Sequence, residues 1–274
     1  NVHEVYQLSD NKLVIVSTDR MSVHGKIIPW LIRDKGVIQT KISNFWFNMT
    51  TDIIPNHIIS TNIDDMPSFF HNDYFRHRTV MVKKLKIIPY EFIVRGYMFG
   101  RLWKSYQRKE AFCRFQLIDK NYHLAEKLDQ PIVTPTIKLD HNRDVDVDMS
   151  LVEKKLGKGI TEYIYKISIL LYERCCQFAA SRGIIIADTK LEFGVNDQNE
   201  LILADEIFTP DSSRFWDSDD YQIGVTPRSY DKQLLRDWLS NHKVQNQYQY
   251  EQIPYELIDK TEKIYADCYK KLLL

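Results

Sequence analysis

Apolar and polar positions alternate along "EVYQLSDNKLVIVSTD" (4–19), interrupted at Ser9, Asp10 and Asn11. The alternation predicts two strands joined by a turn of Ser/Asp/Asn chemistry. The period changes in "VIQTKISNFWFNMTTD", where Ile38, Ile42, Phe45, Trp46 and Met49 recur at helical spacing. "HRTVMVKKL" and "YEFIVRGY" read as strands, and Pro89 between them marks a boundary. The join between a smaller β-rich N-terminal part, 1–88, and a larger part, 89–274, is placed there. "YMFGRLWKSYQ" predicts a short helix after the second of these strands.

Residues 121–149 show no period, carry Pro131 and Pro135, and are rich in Asp. A stretch so long and irregular is expected to be a mobile flap over a site. Two helices are predicted next, over 150–183. The second has Ile164, Ile167, Leu171, Cys175 and Phe178 on one face and Gly183 as its stop. "GIIIADTKLEFGVNDQNELILADE" reads as three short strands, and 229–239 and 254–274 as terminal helices. Strands and helices in blocks predict an α+β fold rather than regular βαβ alternation.

Composition narrows the function. The chain has 274 residues, 44% of them hydrophobic, enough for a sizeable core. Its 37 basic and 37 acidic residues balance, which argues against nucleic acid and anionic membranes as partners. The four cysteines, Cys113, Cys175, Cys176 and Cys268, lack metal-ligand spacing and read as free thiols in a reducing compartment. No apolar run reaches membrane-span length and no signal-peptide layout stands at 1–30, so a cytoplasmic location is expected.

The chemistry concentrates in "DTKLEFGVNDQNELILADE". Read as a hairpin turning at Asp197, Gln198 and Asn199, it puts Lys190, Glu192 and Gly194 on one face and Glu192 roughly opposite Asp205. Two facing carboxylates repel unless a cation lies between them, and Mg²⁺ takes one or two carboxylates plus phosphate oxygens. Lys190 could reach a nucleotide phosphate or base edge. The plain alternative is a solvated hairpin with one carboxylate paired to Lys190. The following loop, Thr209-Pro210-Asp211-Ser212-Ser213-Arg214, offers hydroxyls, N–H groups and a guanidinium suited to a phosphate.

These segments, with "STDRMS" (17–22), "KISNFWF" (41–47), "NHIIS" (56–60), "EFIVRGYMFG" (91–100), "PIVTPTIK" (131–138), "DEIFTPDSSRFW" (205–216) and "SYDKQLLRDWL" (229–239), run in order along nearly the whole chain. Together they resemble the SAICAR synthetase family, in its longer, yeast-type form. The resemblance implies a small antiparallel N-terminal domain for the nucleotide, a larger α+β domain with the metal and ribotide site, and ATP between them. It implies ATP-dependent amide formation between carboxyaminoimidazole ribotide and L-aspartate in purine biosynthesis. Glu192 and Asp205 would hold Mg²⁺ with ATP, and Lys190 would contact the nucleotide. Arg95, Arg214, Asp211 and Ser212 would bind the ribotide. Lys138 and Lys232 would lie near the activated carboxylate or the aspartate.

Four departures from the family pattern bear on the acid pocket. "DRMSVHG" ends in His24 and Gly25 where the family has a terminal Asp. Arg101 replaces a phosphate-binding Ser, and so becomes a candidate substrate contact itself. Val145 and Asp146 replace a His-Asp pair, and "NVHEVY" offers Asn1 and His3 where a Gly-Lys loop is usual. Two further readings therefore stand beside the first: a ligase of the same fold for another carboxylate, and a non-catalytic nucleotide-binding paralogue.

Overall fold

The computed structural model describes residues 2–113, 120–139, 143–244 and 247–274; the side chains at 138–139, 143–144 and 247–248 fall outside the description. The fold is α+β, with antiparallel sheets.

The first strands are β1 (His3–Ser9), β2 (Lys12–Ser17), β3 (Arg20–Val23) and β4 (Lys26–Leu31). The turn between β3 and β4 is His24-Gly25 alone, and both residues have positive φ, 51° and 76°. Gly is suited to that geometry, so its place here follows from a tight hairpin. Helix α1 (Lys35–Met49) comes next, then β5 (Ile58–Ser60) and β6 (Thr79–Lys83). The order β1-β2-β6-β5 makes a four-stranded sheet. Trp46 of α1 is fully buried, and its indole N–H donates to the Phe208 carbonyl at 2.9 Å. Burial of such a side chain stabilises by about 1.5–3 kcal/mol.

The chain enters the second sheet at β7 (Lys86–Tyr97). Helix α2 (Gly100–Gln107), β8 (Lys127–Leu139), β9 (Arg143–Asp146), α3 (Met149–Leu156), α4 (Lys158–Ser181), β10 (Ile184–Val195), β11 (Leu201–Ala204) and β12 (Ser213–Asp217) follow. After them come α5 (Gln233–Asn241), α6 (Gln247–Tyr250) and α7 (Tyr255–Leu273). The sheet order is β11-β10-β7-β8-β9, with β12 also on β10. One edge of β10 is shared: β12 pairs with Ile184–Thr189 and β11 with Glu192–Val195. The loop 205–212 leaves the sheet in the gap between them, where the Ser212 carbonyl accepts from the Lys190 N–H at 2.8 Å.

Three expectations are corrected. Pro89 lies inside β7, where pairing slips between Glu91↔Glu192 and Ile87↔Gly194, and a bulge can hold a residue without an N–H. Residues 184–195 form one long strand, so 183–206 holds two strands rather than three. Much of 121–149 is no flap, because β8 is an inner strand with Val133, Thr134 and Thr136 buried. Its prolines conceal it. Pro135 accepts from the Val147 N–H at 3.0 Å, so the N–H it lacks would point to the same side, beyond the last paired residue of β9.

Side-chain alternation gives the second sheet two unlike faces. Phe92, Val94, Leu191 and Phe193 are fully buried in one core cluster with Ile164, Leu171 and Cys175 of α4. The alternate residues, Glu91, Ile93 and Arg95 on β7 and Asp188, Lys190 and Glu192 on β10, stand in register on the other face.

Candidate active site

Glu192, Lys190 and Glu91 make one end of this polar face. Lys190 Nζ donates to Glu192 Oε1 at 2.9 Å and to Glu91 Oε1 at 3.0 Å, and lies 3.9 Å from Asp205 Oδ2. Thr136 of β8 donates to Glu91 Oε2 at 3.2 Å. Burial disfavours the charge on Lys190, but Glu192, Asp205 and Glu91 outweigh it and hold the ammonium well above the usual lysine range. Burial likewise opposes charge on Asp205, yet Lys190 and His3 keep that carboxyl below its ordinary value.

The hairpin register differs from expectation by one residue, since Glu192 pairs with Ala204. Strict alternation would then send Asp205 to the opposite face. Its φ of 60° ends the strand instead, and its carboxylate still reaches Lys190. Among the described residues three carboxylates thus gather round the Lys190 ammonium. Among the described residues no three His, Cys, Asp or Glu side chains already converge as a ligand set, because Lys190 stands between them. Glu192 and Asp205, two carboxylates brought to one end of the face, suit a Mg²⁺ ion that takes its other ligands from phosphate and water.

Arginines dominate the other end. Arg95, only 3% exposed, donates from Nε to Thr134 Oγ1 at 3.0 Å and lies 3.6 Å from Asp146 and 3.8 Å from Asp188. Burial pushes its guanidinium down to about 10, against the pull of Asp188 and Asp146, so it stays charged at neutral pH. Arg214 of β12 bonds Asp188, and Arg101 of α2 meets Asp146 at 3.1 Å. Gly100, with φ +61°, lets β7 turn into α2 beside Arg214, where a Cβ would come within 2.9 Å of the guanidinium. Arg95 Nη2, Arg214 Nε and Asp146 Oδ1 are buried with no hydrogen-bond partner among the described residues. Arg95 Nη2 and Asp146 Oδ1 face each other as an ion pair at 3.6 Å, beyond hydrogen-bond reach. A buried donor without a hydrogen bond costs about 1–3 kcal/mol, which an anionic ligand would recover at Arg95 Nη2 or Arg214 Nε. Arg101 and Asp146 also line an open pocket with Phe112, Cys113 and Val147.

Asp211 belongs to a third, deeper group. Lys35 Nζ lies 2.8 Å from its Oδ2, and Lys232 Nζ 3.3 Å from its Oδ1. Burial works against this carboxylate, but Lys232 and Lys35 hold it well below the usual range. Lys232 itself is pushed down by burial. Lys35 also donates to Gln39 Oε1 at 2.8 Å. Gln39 lines a cleft between the first sheet and Asp205, with apolar walls from Ile15, Phe47, Ile58 and Val80 and polar groups from His3 and Glu206.

The geometry thus gathers Lys190, Glu192 and Asp205 at one end, and Arg95, Arg101 and Arg214 at the other. Asp211 is bound by lysines rather than arginine. Ser212 does not offer its groups to a cradle: its Oγ accepts from the Thr209 N–H at 3.0 Å, and its own N–H donates to Thr209 Oγ1 at 3.1 Å. Lys138 stands on β8 opposite Asp144, in line with Thr134 and Thr136; its side chain lies outside the described part. Glu91, Asp188 and Lys35 escaped the sequence reading. Glu91 and Asp188 had a signal, each being a charge inside an apolar strand and two or four positions from Arg95 or Lys190. Lys35 had none, since a Lys before a helix reads as solvated.

A family model described as SAICAR synthetase matches residues 1–253. A phosphoribosylaminoimidazole-succinocarboxamide synthase of Lachnospira eligens is 43% identical over 280 residues, covering 99% of this chain and 92% of its own. The enzyme of that name from Pichia angusta is 38% identical over 280 residues, with the same coverages, 99% and 92%. Among solved structures, SAICAR-synthase from Saccharomyces cerevisiae complexed with SAICAR superposes with a TM-score of 0.88 at 33% identity, over 99% of this chain and 92% of that one.

Proposed function

The chain belongs to the SAICAR synthetase family, and from that premise we propose that its polar sheet face is a two-ended ligation site. The protein is an ATP-dependent ligase of purine biosynthesis, joining L-aspartate to the carboxylate of carboxyaminoimidazole ribotide to give SAICAR, ADP and phosphate. A carboxylate is a poor electrophile. Its oxygen first attacks the γ-phosphorus of ATP and the bond to ADP breaks. The aspartate nitrogen then attacks the carbonyl carbon, the bond to phosphate breaks, and the amine gives up a proton. Such chemistry asks the protein mainly for positioning and charge neutralisation.

In this reading Glu192 and Asp205 would hold Mg²⁺, whose contribution is to neutralise the nucleotide phosphates. Lys190, held charged by its carboxylates, meets those phosphates as a second cation. The nucleotide's ring lies towards the first sheet. Arg95, Arg214 and Arg101 take the anionic groups of the ribotide, with Asp211 and Ser212 fixing the loop behind them. Lys232 and Lys138 serve the carboxylate under attack or the incoming aspartate. Residues 1–88 then form the nucleotide-binding part and 89–274 the metal and ribotide part. A cytoplasmic setting accords with four free cysteines. Among the described residues no helix is long and apolar enough to cross a membrane.

The observation that carries the reading is the segregation of charge along one face, with buried guanidinium N–H groups at the arginine end that make no hydrogen bond among the described residues. The charge that Arg101 adds is met by Asp146 at 3.1 Å, which favours the usual ribotide over a different acid. An ADP-release assay with carboxyaminoimidazole ribotide and aspartate, against a panel of other acids and amines, tests it. Release that needs both named substrates is expected; release with another pair and not this one would reject it.

A further inference from the structure

Helix α7 lies beyond residues 1–253, the part that the family model matches, yet it reaches the site. Tyr265, near its middle, is fully buried, and its hydroxyl donates to Asp211 Oδ1 at 2.6 Å. The same oxygen faces Lys232 Nζ at 3.3 Å, while Asp211 Oδ2 takes Lys35. Lys232 Nζ also donates to the Ser22 carbonyl at 3.2 Å, on β3. Burial and the nearby Asp211 push the Tyr265 phenol well above its ordinary range, so it serves as a neutral donor. Two ammonium groups therefore share one carboxylate, Lys35 at Oδ2 and Lys232 at Oδ1, and the phenol meets Lys232 at Oδ1.

We infer that Tyr265 is a positioning residue: its hydroxyl fixes Asp211 Oδ1 and thereby sets where the Lys232 ammonium points. The terminal helix is on this account part of the half of the site that takes the acid and the amine. The inference rests on the role given to Lys232 above. Without the hydroxyl, Asp211 Oδ1 keeps one donor in place of two, and the carboxylate turns to Lys232. The ammonium is drawn from the substrate side and more tightly held, whereas Lys190, Glu192 and Asp205 are untouched.

The test compares full-length wild type with Tyr265→Phe and with Cys268→Ala, a change at a fully buried position on the same helix. Lys232 is followed by reductive methylation with formaldehyde, mapped by mass spectrometry, and turnover by ADP release. In Tyr265→Phe, Lys232 is expected to label about threefold more slowly, because a tightly paired ammonium is less often a free amine. KM for the ribotide or aspartate should rise about fivefold or more, with KM for ATP within about twofold. Cys268→Ala should lower Tm and move neither quantity. Unchanged labelling of Lys232 in Tyr265→Phe, or the same change in Cys268→Ala, would reduce Tyr265 to an anchor for the helix and overturn the inference. Wild type that releases no ADP would instead reject the ligase reading, and the labelling comparison would still decide whether Tyr265 positions Lys232.

Discussion

The two ends of the polar face share strands β7 and β10 but solve opposite electrostatic problems. At one end, among the described residues, Glu91, Glu192 and Asp205 gather round Lys190. At the other, Arg95, Arg101 and Arg214 share Asp146 and Asp188. The acidic end can lower its energy by taking a cation, the basic end by taking an anion. One strand pair, with Glu91 opposite Glu192 and Arg95 opposite Asp188, therefore puts the two kinds of charge at two ends of one face, which on the proposed reading would serve the phosphoryl donor and the anionic acceptor. Register fixes the spacing of Glu91 and Glu192 from Arg95 and Asp188, and a sheet holds register more rigidly than loops could.

If the ends are chemically distinct, damage to each should be selective. The largest effect is expected at the acidic end. Glu192→Gln keeps the shape and removes one charge, and should cut Mg²⁺-dependent turnover about 10²- to 10³-fold with Tm little changed. Turnover within a few-fold of wild type would remove Glu192 from the nucleotide site. At the basic end, Arg214 is 21% exposed, which puts its truncation at the low end of the range for charge-assisted contacts. Arg214→Ala should cost about 2–3 kcal/mol, raising KM for the ribotide roughly 30- to 150-fold and leaving that for ATP alone. Equal effects on both substrates would place Arg214 with the nucleotide.

A smaller effect is expected where the chain departs from its family. Gly25→Asp with Arg101→Ser restores the usual residues. Arg101 is 42% exposed and already paired with Asp146, so the double change should shift KM for the ribotide by less than about tenfold. A gain well beyond that would mean that the two departures had retuned the pocket for another acid.

The mildest effect concerns stability. Burial pushes the His57 imidazole down from 6.5 to about 4, against Asp205. The folded value lies below the unfolded one, so the unfolded chain binds more protons between them. Stability is fully present above pH 6.5 and falls as pH drops towards 4, by roughly 1 kcal/mol at pH 5.5. Urea unfolding of wild type and His57→Gln at pH 7.5 and 5.5 checks it: the variant should lose that slope, and an equal slope in both would contradict the assignment.

Much of this plan was legible from residue order. Alternation in "ADTKLEFG" placed Lys190 and Glu192 on one face because strand geometry is local. What stayed hidden depended on pairing between distant segments. Glu91 joins Lys190 only because β7 and β10 pair, and Asp205 reaches it only because φ turns positive at the strand end. Strand β8 reads as a flap because its prolines break the apolar period, although the side of Pro135 without an N–H lies past β9. Tyr265 gave no sign at all, since a tyrosine on the buried face of a helix reads as packing.

Calorimetric titration of Glu192→Gln and Arg214→Ala, each with ADP plus Mg²⁺ and each with SAICAR, tests the two-ended account most directly. The account predicts a crossed result: Glu192→Gln loses ADP affinity and keeps SAICAR, and Arg214→Ala keeps ADP and loses SAICAR. Parallel loss of both ligands in both variants would show that the ends do not act separately.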